Sequence, residues 1–241
     1  MIPATRLILF GPPGAGKGTQ AQLLTRRLRI RYIGSGGLFR EHLQQQTALG
    51  LQVAGFMNQG LLVPDEVTID IILDKVLSLE PRVGFILDGF PRNLHQARAL
   101  EWALEQRSRG LDKVVHIDVP EREVFRRIGG RYSCRRCQAP HTIGLPSPDE
   151  GSEEASKETS GKGERRCHDC GGELYQRADD TPEALRRRLY VYHTETVPLL
   201  SFYQQRGLLA DIPGEGSVES IHALVLKAIA QGPVSKAGFS R

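Results

Sequence analysis

The sequence has no hydrophobic run long enough to cross a membrane, and aromatic side chains make up only 6% of its 241 residues. A membrane-spanning helix needs about 18 or more consecutive apolar residues. The apolar run nearest the start covers only residues 7–10 and is followed at once by a glycine-rich turn, so it does not match the apolar stretch of a signal peptide. We therefore expect a cytoplasmic protein without a membrane partner, long enough for one compact domain with one or two small insertions.

The chain also lacks a dense basic stripe with interleaved aromatic residues, so nucleic acid is not an expected partner. The formal net charge is only +4. The basic excess consists of scattered arginines, and small acidic ligands explain such a distribution better than a polyanion does. These arginines are Arg40, Arg92, Arg127, Arg131, Arg177 and Arg188.

Cysteine is scarce, and its four residues form two C-x-x-C pairs: Cys134 with Cys137, and Cys167 with Cys170. Disulfides are rare in cytosolic proteins, whereas two such pairs match a tetrahedral zinc site with four thiolates. A zinc ion with four protein ligands has no open position, so its role would be structural. Disulfides or redox pairs are the alternatives. His141 and His168 lie nearby, and we expect surface histidines there because four thiolates suffice.

Predicted strands alternate with predicted helices along the chain, which favours a parallel sheet covered by helices on both faces. Asp65 is a candidate helix N-cap, and a break is expected near Pro198. Ligands of such α/β folds bind at the carboxyl ends of the strands. The predicted strands cover residues 6–10, 83–87, 113–119 and 208–212, and the predicted helices cover residues 17–29, 65–79, 94–107 and about 181–205.

Residues 11–19, Gly-Pro-Pro-Gly-Ala-Gly-Lys-Gly-Thr, match the phosphate-binding P-loop pattern between a strand and a helix. The glycines allow backbone N–H groups to point at phosphate oxygens, and the helix N-terminus adds its positive end. Lys17 supplies a positive charge near the β and γ phosphates. Gly18 stands where Ser or Thr usually holds Mg²⁺, and Thr19 follows one position later. The motif predicts a nucleoside triphosphate as ligand.

The P-loop motif together with Asp88-Gly89-Phe90-Pro91-Arg92 resembles the adenylate kinase family. Residues 127–131 are similar to the paired arginines at the entrance of that family's lid, and residues 175–180 are similar to the lid exit. Arg188 resembles its last phosphate-binding arginine. The four cysteines stand where zinc-bearing, long-lid bacterial members hold their metal. The match covers most of the chain.

The resemblance implies an α/β fold: a P-loop kinase core with a parallel sheet flanked by helices, a small helical AMP-binding insertion and a zinc-clipped lid. The core would consist of residues 1–33, 64–129 and 181–241. The AMP-binding segment would cover residues 34–63 and the lid residues 130–180. Residues 144–166 have no counterpart in the family. They contain only two apolar side chains besides proline, so we expect a flexible insertion there.

The resemblance also implies the reaction ATP + AMP = 2 ADP with Mg²⁺, carried out by a monomer. The implied ATP-binding residues are Gly14, Ala15, Gly16, Lys17, Gly18, Thr19, Arg127 and Arg131. The implied AMP-binding residues are Ser35, Gly36, Arg40, Met57, Leu62, Val63, Gly89, Phe90, Arg92, Gln96, Arg177 and Arg188. The implied catalytic residues are Lys17, Asp88, Arg92, Arg127, Arg131, Arg177 and Arg188.

Two alternatives remain at this point. The chain could be a nucleoside monophosphate kinase with another base or donor preference, or a nucleotide-dependent zinc-binding module without turnover. Gln96 offers an amide that could read the edge of adenine. Gly37 stands where the family usually has an aspartate, which favours a different handling of the cation.

Overall fold

The computed structural model describes residues 5–137, 139–143 and 166–231. Most of the predicted insertion 144–166, and the tail from Gly232, lie outside these residues. No helix within the described ranges is both long and apolar enough to cross a bilayer.

Five parallel strands form the central sheet: β1 (Arg6–Phe10), β2 (Arg31–Gly34), β3 (Phe85–Asp88), β4 (Lys113–Asp118) and β8 (Leu209–Pro213). Their order across the sheet is β2-β3-β1-β4-β8. Because the strands are parallel, their carboxyl ends meet at one edge, where Asp88 of β3 pairs with Leu9 on one side and Gly34 on the other. This register places the loop after β1 beside Asp88.

Helices cover both faces of the sheet because the strand side chains alternate between two apolar cores. The helices are α1 (Lys17–Leu28), α2 (Ser35–Gln44), α3 (Ala48–Gln59), α4 (Asp65–Leu77), α5 (Leu94–Glu105), α6 (Glu121–Gly129), α7 (Pro182–Val191), α8 (Pro198–Gln204) and α9 (Val218–Ala230). Leu7 and Leu9 enter one core with side chains of α1, α6, α7 and α9, while Ile8 and Phe10 enter the other with side chains of α4, α5 and α8.

Helices α2 and α3 form a hairpin between β2 and α4, with a small core of Phe39, Val53 and Val63. The Thr47 hydroxyl accepts a hydrogen bond from the Gly50 N–H and so caps α3. A Cβ atom at Gly50 would lie 2.2 Å from the His42 carbonyl oxygen, so the close crossing of the two helices requires glycine there. The helical insertion implied by the resemblance is present.

A second, antiparallel sheet of three short strands lies between α6 and α7, and we call it the lid sheet. Its strands are β5 (Arg131–Cys134), β6 (Pro140–Thr142) and β7 (Leu174–Tyr175), in the order β6-β5-β7. Within the part of this unit that the structure describes, the buried residues of its apolar core are Cys134, Ala139, Cys167 and Leu174. Such a core is too small to stabilise the unit alone, so the cysteines carry much of its structure.

The last long helical segment is interrupted, as the sequence predicts near Pro198. The break begins earlier, at a π-helix over Tyr192–Thr196 that connects α7 to α8. Pro198 is the first residue of α8, a position where its missing N–H costs little. Within the π-helix, the Thr196 hydroxyl donates to the carbonyl oxygen of Arg92 at 2.9 Å.

The predicted alternation of strands and helices is confirmed, with boundaries that differ by at most two residues. The prediction of Asp65 as an N-cap is wrong, because Pro64 is the N-cap and Asp65 is the first residue of α4. The Asp65 carboxylate instead accepts hydrogen bonds from Asn93 and Gln96. The sequence reasoning missed β2, α6, α9 and the strands of the lid sheet. In β2 the two exposed residues leave almost no apolar pattern to detect.

Candidate active site

A cleft of about 1280 Å³ opens at the carboxyl edge of the central sheet, between the α2–α3 hairpin and the three-stranded lid sheet. All predicted nucleotide-contacting residues border this cleft except Phe90. The Phe90 side chain is 1% exposed and belongs to the core that β3 shares with α4 and α5. The Phe90 ring therefore packs into the core and holds the 88–92 loop in place from the side opposite the cleft. Met57, Leu62 and Val63 form an apolar part of the cleft wall.

The loop between β1 and α1 has the backbone shape of a phosphate cradle. Gly14 and Gly16 have φ angles of 76° and 86°, in the left-handed region that favours glycine. A Cβ atom at Gly14 would also lie 3.1 Å from the Ile128 side chain. Helix α1 has no side-chain cap and no acidic residue in its first turn. Its first N–H groups are therefore available to an anion.

Lys17 extends back along this loop, and its Nζ donates to the carbonyl oxygens of Gly11 and Pro12, each at 2.8 Å. Burial lowers the pKa of Lys17 to about 8, although the nearby Asp88 carboxylate opposes the shift. The positive charges of Arg92, Arg188 and Arg131 lower it further. Without an anion in the cleft, the ammonium group is therefore held in an unfavourable environment.

Burial lowers the pKa of Lys17 in the free protein, and we predict that inorganic triphosphate raises it. A polyanion within a few ångströms favours the protonated amine, so the shift is upward. The measurement is NMR titration of protein labelled with ¹³C at the lysine Cε, with the Lys17→Met variant used to assign the signal. A signal that titrates at the same pH with and without triphosphate would contradict the assignment of this loop.

Asp88 borders the cleft at the end of β3, and the Tyr32 hydroxyl donates to its Oδ2 at 3.0 Å. Although part of the Tyr32 side chain is exposed, desolvation in the cleft wall and the neighbouring Asp88 carboxylate raise the pKa of its hydroxyl, which keeps the phenol protonated. Sequence reasoning missed Tyr32. Tyr32 lies on β2 two residues before Gly34, which pairs with Asp88. Its position could have pointed to a contact with Asp88, but β2 itself was not predicted.

Arg40 and Arg92 face the cleft with few protein partners. Arg92 donates through Nε to the carbonyl oxygen of Gly89 at 2.9 Å, and Ser35 donates to the same oxygen at 2.8 Å. Among the described residues, the Nε of Arg40 has no acceptor although it is buried. Burial lowers the pKa of both arginines. Two guanidinium groups are thus desolvated, and the Arg40 group has a buried nitrogen without an acceptor among the described residues, which favours binding of an anion.

Three further arginines enter the cleft from the lid and from α7. Arg131 forms two hydrogen bonds to the Asp180 carboxylate, and Arg188 pairs with Asp179 at 2.8 Å and with Asp180 at 3.2 Å. Arg177 donates to the Ser133 hydroxyl at 2.7 Å. Burial lowers the pKa of Arg177 and Arg188 to about 10. The two aspartates thus orient Arg131 and Arg188, while Ser133 orients Arg177.

Arg127 is held by Glu123, one helical turn earlier, with Nε to Oε1 at 2.6 Å, and it also donates to the carbonyl oxygen of Gly214. The same carboxylate accepts hydrogen bonds from Arg126, and the pair of arginines lowers the pKa of Glu123 to about 2. Sequence reasoning missed Glu123, although its spacing of three and four residues from the arginines is the expected signal on a helix.

The cleft carries a large excess of positive charge. Nine Lys and Arg residues line it, against four Asp and Glu residues. Because water is partly excluded from the walls, these cations are poorly screened, and a ligand with several negative charges would relieve their repulsion.

The four cysteines come together in the lid sheet, with their Sγ atoms all within 4.8 Å of one another. The Sγ atoms of Cys134 and Cys170 are 3.4 Å apart, and those of Cys137 and Cys167 are 3.6 Å apart. A disulfide needs about 2.05 Å, whereas four thiolates about 2.3 Å from a tetrahedral zinc lie about 3.8 Å apart. The cysteines are free, and the geometry is compatible with a structural zinc ion. His141 lies beside them, with Nε2 at 3.2 Å from the Cys167 Sγ.

Comparison with known proteins agrees with this site. The sequence model of the family described as adenylate kinase matches residues 9–208. The chain is 44% identical over 233 residues to an adenylate kinase of Streptomyces avermitilis, covering 96% of this chain and all of the relative. It is 40% identical over 226 residues to an adenylate kinase of Dehalococcoides mccartyi, covering 94% of this chain and 98% of the relative.

A third relative, an adenylate kinase of Methanocella arvoryzae, is 42% identical over 224 residues, which cover 93% of this chain and 98% of that protein. The alignments therefore run through the P-loop, the α2–α3 hairpin, the cysteine-bearing lid sheet and α7. The resemblance that the sequence motifs indicated is confirmed, and the chain belongs to the adenylate kinase family of nucleoside monophosphate kinases.

Proposed function

We propose that the protein catalyses the reversible reaction ATP + AMP = 2 ADP in the presence of Mg²⁺. The observation that carries the proposal is the set of desolvated cations around one cleft. It includes Arg92 and also Arg40, whose buried Nε has no acceptor among the described residues. The shape of the P-loop and the names of the relatives support a triphosphate donor and an AMP acceptor. A monomeric, cytoplasmic enzyme is part of the same proposal.

The α-phosphate of AMP already carries a nucleophilic oxygen at neutral pH, so the protein has little covalent chemistry to perform. The barrier comes mainly from positioning and from the repulsion between two polyanions. Arg40 and Arg92, near Ser35, Gly36 and Gly89, would hold the AMP phosphate. Guanidinium groups suit this task because they bind two phosphate oxygens in a fixed geometry.

The ATP phosphates would lie on the loop Gly14–Thr19, with Lys17 moving from its loop carbonyls to the phosphate oxygens. Arg127 and Arg131 would hold ATP from the lid side, and Arg177 and Arg188 would neutralise the transferring group. Most of these arginines already have a fixed orientation through Glu123, Asp179 and Asp180. Such preorganised charges stabilise the transition state without reorganisation at the moment of transfer.

Mg²⁺ would enter with ATP, and the residues present fit it. Mg²⁺ prefers carboxylate oxygens and keeps several of its waters. The Asp88 carboxylate borders the cleft next to Gly18 and close to Lys17, and Thr19 supplies a hydroxyl in the first turn of α1. Bound there, the ion would neutralise charge on the phosphates. Gly37 contributes no carboxylate, so Asp88 is the acidic side chain that we assign to the hydrated ion.

The lid over residues 130–180 would exclude water, which otherwise competes with AMP for the γ-phosphoryl group. Cys134, Cys137, Cys167 and Cys170 would bind a structural zinc ion that holds the lid sheet together. The α2–α3 hairpin within residues 34–63 would form the movable wall of the AMP site.

We expect the purified protein with ATP and Mg²⁺ to form ADP rapidly with AMP and much more slowly with GMP, CMP or UMP. The measurement is chromatography of the nucleotides over time, with the Lys17→Ala variant as the inactive control. Rapid transfer to another monophosphate would assign a different acceptor. Binding of both nucleotides without transfer would overturn the proposal.

A further inference from the structure

The amide of Gln96 is held at both ends by groups that can each play only one hydrogen-bonding role. Its Oε1 accepts from the backbone N–H of Arg92 at 2.8 Å, and its Nε2 donates to Oδ1 of Asp65 at 2.7 Å. A backbone N–H can only donate, and an ionised carboxylate can only accept. The two ends of the amide are therefore determined by its partners.

The Asp65 carboxylate is itself firmly placed. Asn93 donates to both of its oxygens, at 2.9 and 3.0 Å, and the His95 Nδ1 lies 3.0 Å from Oδ2. Burial would raise the pKa of Asp65, but the hydrogen bonds from Asn93, Gln96 and His95 lower it below its ordinary value. Asp65 therefore remains a pure acceptor at neutral pH.

Gln96 is 1% exposed and borders the cleft near Arg92. After its two bonds to the protein, its amide keeps one donor hydrogen and one acceptor lone pair for a ligand. A flip of the amide would bring its oxygen against the Asp65 carboxylate and its NH₂ against the Arg92 N–H. The Arg92 N–H would then lack its acceptor, and the Gln96 oxygen would face the Asp65 carboxylate in place of a donor, which is a large penalty for buried polar atoms.

We propose that Asp65 is a specificity-determining residue, which locks the Gln96 amide in one orientation and so selects a 6-amino over a 6-oxo purine monophosphate. An adenine edge presents an amino donor next to a ring-nitrogen acceptor, and a hypoxanthine edge presents an oxo acceptor next to an N–H donor. A freely turning amide could pair with either edge, whereas a locked amide matches only one. The inference rests on the proposed function.

The test uses the isosteric variant Asp65→Asn and two acceptors, AMP and IMP, which differ only in this edge of the base. Asparagine offers both an acceptor and a donor, so it can face either end of the Gln96 amide. We expect the ratio of kcat/KM for AMP to that for IMP to fall by at least about tenfold, since one charge-assisted hydrogen bond no longer opposes the flip. The change should appear mainly in KM for IMP.

His95→Ala is the matched control, because it removes a partner of Asp65 but leaves the Asp65–Gln96 bond in place. This variant should keep the ratio within about threefold, as expected for loss of an exposed contact. If Asp65→Asn lowered kcat/KM for AMP and for IMP by the same factor, so that their ratio stayed unchanged, the proposed role of Asp65 in specificity would be wrong. Absence of ADP formation from AMP by the unaltered protein would instead overturn the proposed function.

A measurement on the unaltered protein tests the proposal even if the Asp65→Asn variant fails to fold. The side-chain NH₂ signals of Gln96, assigned by NMR through loss in Gln96→Glu, should show slow hydrogen exchange in the free protein. Exchange as fast as that of exposed glutamines would contradict the lock, whatever the kinetics of the variant.

Discussion

Replacing Arg92 by methionine is expected to lower kcat/KM for AMP on the order of 10³-fold, the loss found for single arginines that neutralise a transferring phosphoryl group. The side chain lies in the wall of the cleft, and its protein acceptor is the Gly89 carbonyl oxygen, to which Ser35 also donates. The large effect follows from loss of a bidentate contact to phosphate in a partly dry site.

The same substitution should not lower the melting temperature by more than about 4 °C, which corresponds to about 1 kcal/mol for a chain of this size. Burial lowers the pKa of Arg92, so the folded protein without ligand holds this cation at a cost. Methionine removes the cost and fills similar space. Enzyme kinetics and thermal unfolding measure the two effects separately, and a residue that served only the fold would show the opposite pattern.

Arg98→Met is the matched control, because Arg98 is an exposed residue on the neighbouring helix α5. This variant should retain kcat/KM for AMP within about twofold, as is usual for surface positions. If Arg92→Met and Arg98→Met had the same activity, the assignment of Arg92 to the AMP phosphate would be wrong.

Disruption of the cysteine cluster should have the second large effect. We expect one zinc ion per chain in the purified protein and none in the Cys134→Ser/Cys170→Ser variant. Hydrogen exchange of the amides in β5 and β6 should then accelerate by at least about a thousandfold, because metal binding supplies most of the folding free energy of such small units. Among residues 130–137, 139–143 and 166–180, the buried core of the lid sheet has four residues, two of which are cysteines, so the metal ligands supply much of what holds the strands together.

The matched variants are His141→Ala and His168→Ala. Each should keep the zinc ion and the slow exchange of β5, because neither histidine belongs to the cluster of four thiols. Loss of zinc in His141→Ala would instead favour the second group of candidate ligands, His141, Cys167 and Asp169. The structural role of zinc would be excluded if the purified protein contained no metal, had four reactive thiols and still showed slow hydrogen exchange in the lid sheet.

Short-range patterns in the sequence were enough to predict the central architecture. The glycines before Lys17 have a fixed spacing because the backbone itself curls around phosphate. Strands β1 and β4 were found because a sheet buried on both faces needs continuous apolar runs. Strand β2 could not be found in this way, since only two of its four residues are buried and its pairing with β3 is a long-range contact.

The sequence by itself therefore determined the alternation of strands and helices, the phosphate loop and the cysteine pairs, because each depends on residues close together in the chain. The candidate arginines, which span residues 40–188, came from the resemblance to a known family. Only the tertiary structure decided which carboxylate orients which arginine, as in the pairs of Arg131 with Asp180 and Arg127 with Glu123. It also decided that Asp65 does not cap a helix but holds Gln96, a residue 31 positions away. Hydrogen-bond partners of this kind depend on which polar atoms come together when helices and strands pack. Local sequence propensity does not contain that information.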